Sequence, residues 1–230
     1  EHIAGALESD KNNLEALFIS GDGITDTGLQ HIAGALENDK NKLKSLYIYG
    51  DGLTNAGLEH IADALESNNI LEILSISGDG ITDTGLEHIA GALENDKNNL
   101  KTLSIYGDGV TNAGLEHIAD ALKSEKNNLE ILSISGGDKI TNNGLKYITN
   151  ALESENNNLK TLAISSDKIT NVGLKHIKSA LKSKNNNLET LAIYSKSITN
   201  PGIDTFKTFL TLLTLRPLNV MINDQILLRT

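Results

Sequence analysis

From Leu14 onward the chain repeats one hydropathic phrase. A short alternation, Leu14-x-x-Leu17-x-Ile19, runs into the turn Gly21-Asp22-Gly23, then Ile24-Thr25, and then Leu29, Ile32, Ala33 and Leu36 at three- and four-residue spacing. Alternation puts Leu17 and Ile19 on one face of a strand and Ala16, Phe18 and Ser20 on the other, so the first face is expected in the core and the second on display. The later spacing predicts an amphipathic helix. Thr25 stands where an N-cap belongs, with Asp26 in the first turn, where the helix dipole favours negative charge. The pair Asn200-Pro201 marks a late helix start in the same way.

The phrase returns at Leu14, Leu43, Leu71, Leu100, Leu129, Leu159 and Leu188, with spacings of 29, 28, 29, 29, 30 and 29. A fixed period of this length indicates a solenoid, in which each unit buries its apolar face against its neighbours. Strands are predicted near residues 16–19, 45–48, 73–76, 102–105, 131–134, 161–164, 190–193 and 220–222, with a helix after each of the first seven. Residues 1–230 read as one domain: the helical half of a first repeat (1–13), seven regular repeats (14–213), and a closing strand and cap (214–230) with Pro217 at the degenerate anchor. Residues 1–7 match Gln30 to Leu36, so the chain opens partway through a repeat and an upstream portion is expected.

Strand, turn, helix and parallel neighbouring strand resemble the leucine-rich-repeat family, in its long, helix-containing ribonuclease-inhibitor-like class. The family pattern Leu-x-x-Leu-x-Leu-x-x-Asn/Cys-x-Leu is met by Leu43-x-x-Leu46-x-Ile48-x-x-Asp51-x-Leu53. The resemblance implies an α/β right-handed horseshoe, with a parallel sheet on the concave face and helices on the convex face. It also implies a module that binds a protein or peptide, either in its own right or as the sensor or recruiting arm of a multidomain enzyme or receptor.

One departure recurs. Where the family has Asn or Cys, this chain has Asp22, Asp51, Asp79, Asp108, Asp138 and Asp167, and Lys196 in the last regular copy. An ionised aspartate accepts hydrogen bonds but donates none, so these groups can serve N–H but not carbonyl groups of a neighbouring coil. Stacked carboxylates should also repel and raise some pKa values, and a more open turn is expected. The same turns are the candidates for ion or polar contacts, calcium included. No nine-residue calcium repeat or dense Asp-x-Asp-x-Asp loop is present, so no metal site is expected.

Net charge is −10, but unevenly placed: residues 1–122 hold 21 acidic side chains and 6 lysines, and residues 123–230 hold 9 acidic against 14 basic. A balance of −15 therefore gives way to +5 along the solenoid, which raises the possibility of salt-dependent self-association. The absence of cysteine excludes disulfides and thiolate chemistry. No apolar run is long enough for a membrane span, and the N-terminal residues do not read as a signal peptide. No Asn-x-Ser/Thr acceptor occurs, which favours a cytoplasmic setting without excluding secretion.

His2, His31, His60, His88, His117 and His176 occupy one helix position in successive repeats, roughly 10 Å apart, too far to share an ion held at ~2 Å by each ligand. No nucleophile elbow, phosphate loop or dinucleotide fingerprint is present, so no catalytic residue and no cofactor are expected. Nucleic acid is excluded as a partner because no continuous basic groove is available.

Two features of the strands remain. The residue after each anchor leucine alternates Glu15, Lys44, Glu72, Lys101, Glu130, Lys160, Glu189, which sets opposite charges side by side and helps specify register. The displayed face carries no charge, yet holds five of the chain's eight aromatic residues: Phe18, Tyr47, Tyr49, Tyr106 and Tyr194. With Ser75, Ser77 and Ser104 between them, these residues form the candidate partner-binding site. Phe18, Tyr47, Tyr49 and Tyr106 are expected as one patch and Tyr194 as an outlying contact.

Overall fold

A computed structural model describes residues 2–9, 11–67, 70–213 and 218–228. Helix and strand alternate as α1 (His2–Leu7), β1 (Ala16–Ser20), α2 (Asp26–Leu36), β2 (Ser45–Tyr49), α3 (Asn55–Glu66), β3 (Ile73–Ser77), α4 (Asp83–Leu93) and β4 (Thr102–Tyr106). They continue as α5 (Asn112–Ala121), β5 (Ile131–Ser135), α6 (Asn142–Ala151), β6 (Thr161–Ser165), α7 (Asn171–Ala180), β7 (Thr190–Tyr194), α8 (Asn200–Leu212), β8 (Asn219–Ile222) and β9 (Gln225–Leu228). Strands β1 to β8 form one parallel sheet in chain order, in the register the period requires: Phe18 faces Tyr47, Tyr47 faces Ser75, and Ser75 faces Ser104. The result is the expected α/β leucine-rich-repeat solenoid, with strands lining the concave face and helices the convex one.

Each coil contributes its inward strand pair and the helix stripe to one continuous core. Leu46, Ile48, Leu53, Leu58, Ile61 and Leu65 of one coil are all 0% exposed, and each such side chain is worth roughly 1.5–3 kcal/mol of burial. Leu17 and Ile19 lie on β1, the edge strand of the described sheet, and are only half-buried.

The C-terminal unit differs from expectation. Val220 and Ile222 fall opposite Leu191 and Ile193 as the period predicts, but the chain then reverses at Asn223-Asp224, both with positive φ (49° and 63°), and β9 returns antiparallel to β8. Positive φ at both central residues is what a two-residue hairpin turn of type I′ needs, and Asn and Asp tolerate it best among non-glycine residues. Asn223 also ends the stack: its Oδ1 accepts the Ser195 N–H (2.7 Å) and its Nδ2 donates to the Ser195 carbonyl (2.7 Å). Pro217, read as a degenerate anchor, lies outside the described residues.

The Asp turns also depart from expectation. Asp22, Asp51, Asp79, Asp108 and Asp138 are exposed and do not serve as the family's buried Asn, because burying an ionised carboxylate costs far more than a turn can return. Nor is the turn open. Leu53 N–H bonds Gly50 O (3.1 Å), Ile81 N–H bonds Gly78 O (3.2 Å) and Val110 N–H bonds Gly107 O (3.0 Å). The glycine before the Asp lets each coil approach the one before it; a Cβ on Gly78 would sit 2.6 Å from Leu53 Cβ. In the later coils serine replaces that glycine, and Ser166 Oγ and Ser195 Oγ donate to the Ile140 and Ile169 carbonyls of the preceding coil, at 2.6 Å each.

The polar ladder between coils lies instead at the helix starts. Asp26 Oδ1 accepts the Thr54 N–H (2.9 Å) and Asp26 Oδ2 the Thr54 hydroxyl (2.6 Å). Asn55 then serves Thr82 and Gly85, Asp83 serves Thr111 and Gly114, and Asn112 serves Thr141 and Gly144, while Asn142 and Asn171 reach Thr170 and Thr199. The first residue of each of α2 to α7 thus satisfies one or two of the orphan N–H groups of the next helix. Thr54, Thr111, Thr141 and Thr170 accept from their own helices as the N-cap reading expects, whereas Thr25 and Thr82 make no such bond.

A second ladder uses the asparagine runs after the helices. Asn156 Nδ2 donates to Lys123 O (2.8 Å), Asn157 Oδ1 accepts Leu159 N–H (3.1 Å) from a buried position, and Asn158 Nδ2 donates to Asn127 O (2.8 Å). Each of three consecutive asparagines therefore has its own partner.

Asn112→Ala should leave the buried N–H of Gly144 without its acceptor and cost about 1–3 kcal/mol. The exposed Asn143→Ala should change stability by less than about 0.5 kcal/mol. Equilibrium urea unfolding of the two variants checks this; equal losses would mean the helix-start ladder contributes nothing special.

Candidate partner-binding surface

The parallel register sorts the displayed side chains into rows running across the strands. The middle row reads Phe18, Tyr47, Ser75, Ser104, Ser133, Ala163, Ala192, Met221, and the row at the strand ends reads Ser20, Tyr49, Ser77, Tyr106, Ser135, Ser165, Tyr194. No charged side chain interrupts either row.

Three of the expected rings meet. Phe18 lies 6.3 Å from Tyr47 and 5.4 Å from Tyr49 between ring centroids, tilted at 34° and 44°, within the range where aromatic pairs attract. Phe18 is 67% exposed although it sits in a sheet. Tyr49 OH pairs with Ser75 Oγ (2.9 Å), which fixes the ring over the floor and accounts for Ser75 being buried rather than displayed.

Tyr106 does not join this cluster. It stands two strands from Tyr49 with Ser77 between them, and its OH reaches Ser133 Oγ at 3.4 Å. Tyr194, expected as an outlier, instead faces Tyr106 across a shallow hollow of about 120 Å³ floored by Ser133, Ser135, Ala163 and Ser165. The surface therefore has two aromatic centres, Phe18/Tyr47/Tyr49 and Tyr106/Tyr194, with half-buried Ser77 on the strand between them and half-buried Ser104 on the strand of Tyr106. Ser133, Ser135 and Ser165 were missing from the candidate residues. Lining up the repeats by row instead of by strand would have found Ser135 and Ser165, which stand between Tyr106 and Tyr194 in one row.

The flanks carry the charge. On one side Lys44 pairs with Glu15 (3.2 Å), Lys101 with Glu72 (3.0 Å) and Lys160 with Glu130 (2.8 Å). The alternation thus resolves into discrete pairs, each lysine bonded to the glutamate one coil earlier. The Glu130 hydrogen bond and charge raise the Lys160 pKa, with Glu189 on the other side adding to the effect. On the opposite flank the exposed Asp turns border the tyrosine row, and Asp79 and Asp108 line a hollow of about 80 Å³ beside Tyr106.

The last of these carboxylates behaves opposite to the expected mutual repulsion. Lys196 Nζ binds Asp167 Oδ2 (2.8 Å) and its backbone N–H binds Oδ1 (3.1 Å), which together pull the Asp167 carboxyl below the ordinary carboxylate range and raise Lys196. Among the described residues no group of three or more His, Asp or Glu side chains is placed to hold a metal ion. The histidines lie on the helices: His31 is exposed, and His60, His88, His117 and His176 are half-buried. Burial, then the nearby Lys146 charge, lowers the His176 pKa.

No family model and no curated protein matches the chain. Among solved structures it is similar to a chain of the Rad7 and Elc1 complex of yeast, with a TM-score of 0.59, 18% identity, and coverage of 95% of this chain and 58% of that one. The chain thus spans somewhat more than half the length of that relative. At this identity the likeness is one of fold, and a fold does not carry its function with it. No described helix is long and apolar enough to cross a membrane.

Asp167 should titrate below an ordinary aspartate in a carboxyl-detected NMR titration, and Lys196→Ala, which removes the ammonium but keeps the backbone N–H, should raise it part of the way back. Because its folded pKa is depressed, the pair's contribution is fully present above the unfolded value and is lost as pH falls through the folded one. An Asp167 titration that ignores Lys196→Ala would rule out this assignment.

Proposed function

We propose that this chain is a recognition module of the ribonuclease-inhibitor-like leucine-rich-repeat class, forming one repeat domain and binding a protein or peptide on its concave sheet. The observation that carries the reading is the tilted three-ring cluster of Phe18, Tyr47 and Tyr49 on an uncharged floor, with Phe18 left 67% exposed. An exposed aromatic cluster gives a sheet little stability but supplies the rigid, low-entropy anchors that dominate interfaces. Tyr106 and Tyr194 would hold a second anchor of the same ligand, with Ser77 and Ser104 as the polar floor and buried Ser75 holding the Tyr49 hydroxyl beneath it. The reading is one of binding and not of catalysis, and among the described residues the histidines sit on the helices, away from the displayed serines. That the fold neighbour comes from a complex of two proteins agrees with such a role.

A second reading rests on the charge partition. Ends carrying −15 and +5 would attract one another head to tail, and light scattering at high protein concentration should then show association that weakens as salt shortens the screening length to ~8 Å. A monodisperse monomer at low salt would remove this reading without touching the first.

The concave-face reading is tested with peptides selected from a random library on the parent protein. Tyr47→Ala with Tyr49→Ala should weaken the selected peptides by about 2 kcal/mol or more, close to thirtyfold in affinity, while thermal unfolding moves little. Undiminished binding by this double variant would overturn the reading and make the turns from Asp22 to Asp167 the next surface to test.

A further inference from the structure

The helix-to-helix seams are built alike along the molecule until the last one. The residue following the buried isoleucine of each helix is Ala33, Ala62, Ala90, Ala119 and Thr149 in α2 to α6, at most 5% exposed in every case. In α7 the same position is Lys178. One seam position further along, where α2 to α7 carry alanine from Ala35 to Ala180, α8 carries Phe209, and Phe206 replaces the isoleucine.

These exchanges change the packing. Helix α8 lies more loosely on α7 than earlier helices do on one another, and a cleft of about 270 Å³ opens between them. Leu174 and Pro201 give it apolar walls, Lys175 and Lys178 its charge, and Thr205 a polar edge. Lys178 Nζ stands 5.6 Å from the Phe206 ring centroid and 5.5 Å from that of Phe209, and Lys182 Nζ stands 5.7 Å from the latter. An ammonium over ring faces is held in place and partly stripped of water. Lys178 donates to the Thr205 carbonyl (3.2 Å), which leaves two of its three donors for another acceptor.

We propose that the α7–α8 cleft is a docking site for an acidic peptide segment of a partner protein, one carboxylate seating between Lys175 and Lys178 with its neighbours on Leu174 and Pro201. Charge complementarity selects the occupant. At the helix position of Lys175, the earlier helices carry Glu59, Glu87 and Glu116, and the sign reverses at Lys146 and Lys175. The cleft stands in the half of the chain that carries +5, so a diffuse attraction for anions accompanies the local one, and the single-residue variants below separate the two. Asp204 lies outside the residues that line the cleft. The site is on the helical side and is independent of the concave floor.

The test is fluorescence anisotropy at physiological salt with a labelled peptide of six glutamates flanked by two leucines, and with a glutamine version of it. Saturable binding of the glutamate peptide is expected. Lys175→Glu, at an exposed position where folding is not at stake, and Lys178→Ala should each weaken it at least tenfold, while Lys97→Ala leaves it unchanged. Thermal unfolding of Lys178→Ala is followed in parallel, because alanine restores the seam residue of the earlier helices and should not unfold the domain. Equal binding of the two peptides, no binding by the parent, or full binding by Lys175→Glu would each overturn the proposal. Binding lost equally in Tyr47→Ala with Tyr49→Ala would also overturn it, by placing the peptide on the concave face.

Discussion

A coil of this chain cannot satisfy its own polar backbone. Its strand has bonding edges on both sides, its helix begins with orphan N–H groups, and its return loops expose carbonyls, so every coil depends on the next for its hydrogen bonds as well as for its apolar cover. The helix-start ladder answers the most demanding part of that requirement. A single carboxylate or amide at the first helical residue reaches forward to cap the following helix, as Asp83 does for Thr111 and Gly114. Glycine follows from this geometry: the oxygen of the preceding coil's Asp or Asn occupies the space where a Cβ would stand at Gly57, Gly85, Gly114 and Gly144.

Much of the scaffold was legible in the residues. The anchor leucines fixed the period, alternation separated the inward from the displayed face, and every predicted parallel strand lies within a residue or so of its expected place. These signals are legible because they are set by burial, which acts on each residue type in the same way in every copy. The polar ladders were harder. Asp26 looked like a dipole partner of its own helix, and only the three-dimensional offset between coils reveals that its oxygens serve Thr54. The asparagine runs concealed their division of labour for the same reason, since the outer two of Asn156 to Asn158 reach the preceding coil while the middle one serves its own. The family motif pointed to the Asp turns as the inter-coil contact, but a charged group there prefers water, and apart from Asp167, which accepts the Lys196 N–H, the chain places that contact elsewhere.

For the candidate surface, the sequence reading found the side chains but not their grouping. Charge-free strands with concentrated aromatics were plain, yet proximity on a parallel sheet follows rows across strands. Tyr106 was placed with Tyr47 and Tyr49 because it is near them in strand count, whereas its hollow is shared with Tyr194 three strands further on. The α7–α8 seam also needed structure to be noticed. Lys178 in sequence is one lysine among many in a basic half, and its meaning comes from standing where five earlier helices place a small buried residue.

The alternation of Glu15, Lys44, Glu72, Lys101, Glu130, Lys160 and Glu189 has a bearing on how such an array can lengthen or shorten. Apolar rows of leucine and isoleucine are indifferent to which coil follows which, so the core would accept the loss of any single unit. The flanking charges are not indifferent: deleting the coil of Lys101 brings Glu72 against Glu130, whereas deleting two successive coils restores a lysine beside every glutamate. Copy number in this molecule therefore carries a parity, and the natural unit of growth is a pair of coils, in keeping with the recurrence of Ile24 to Leu29 as Ile81 to Leu86 two coils later.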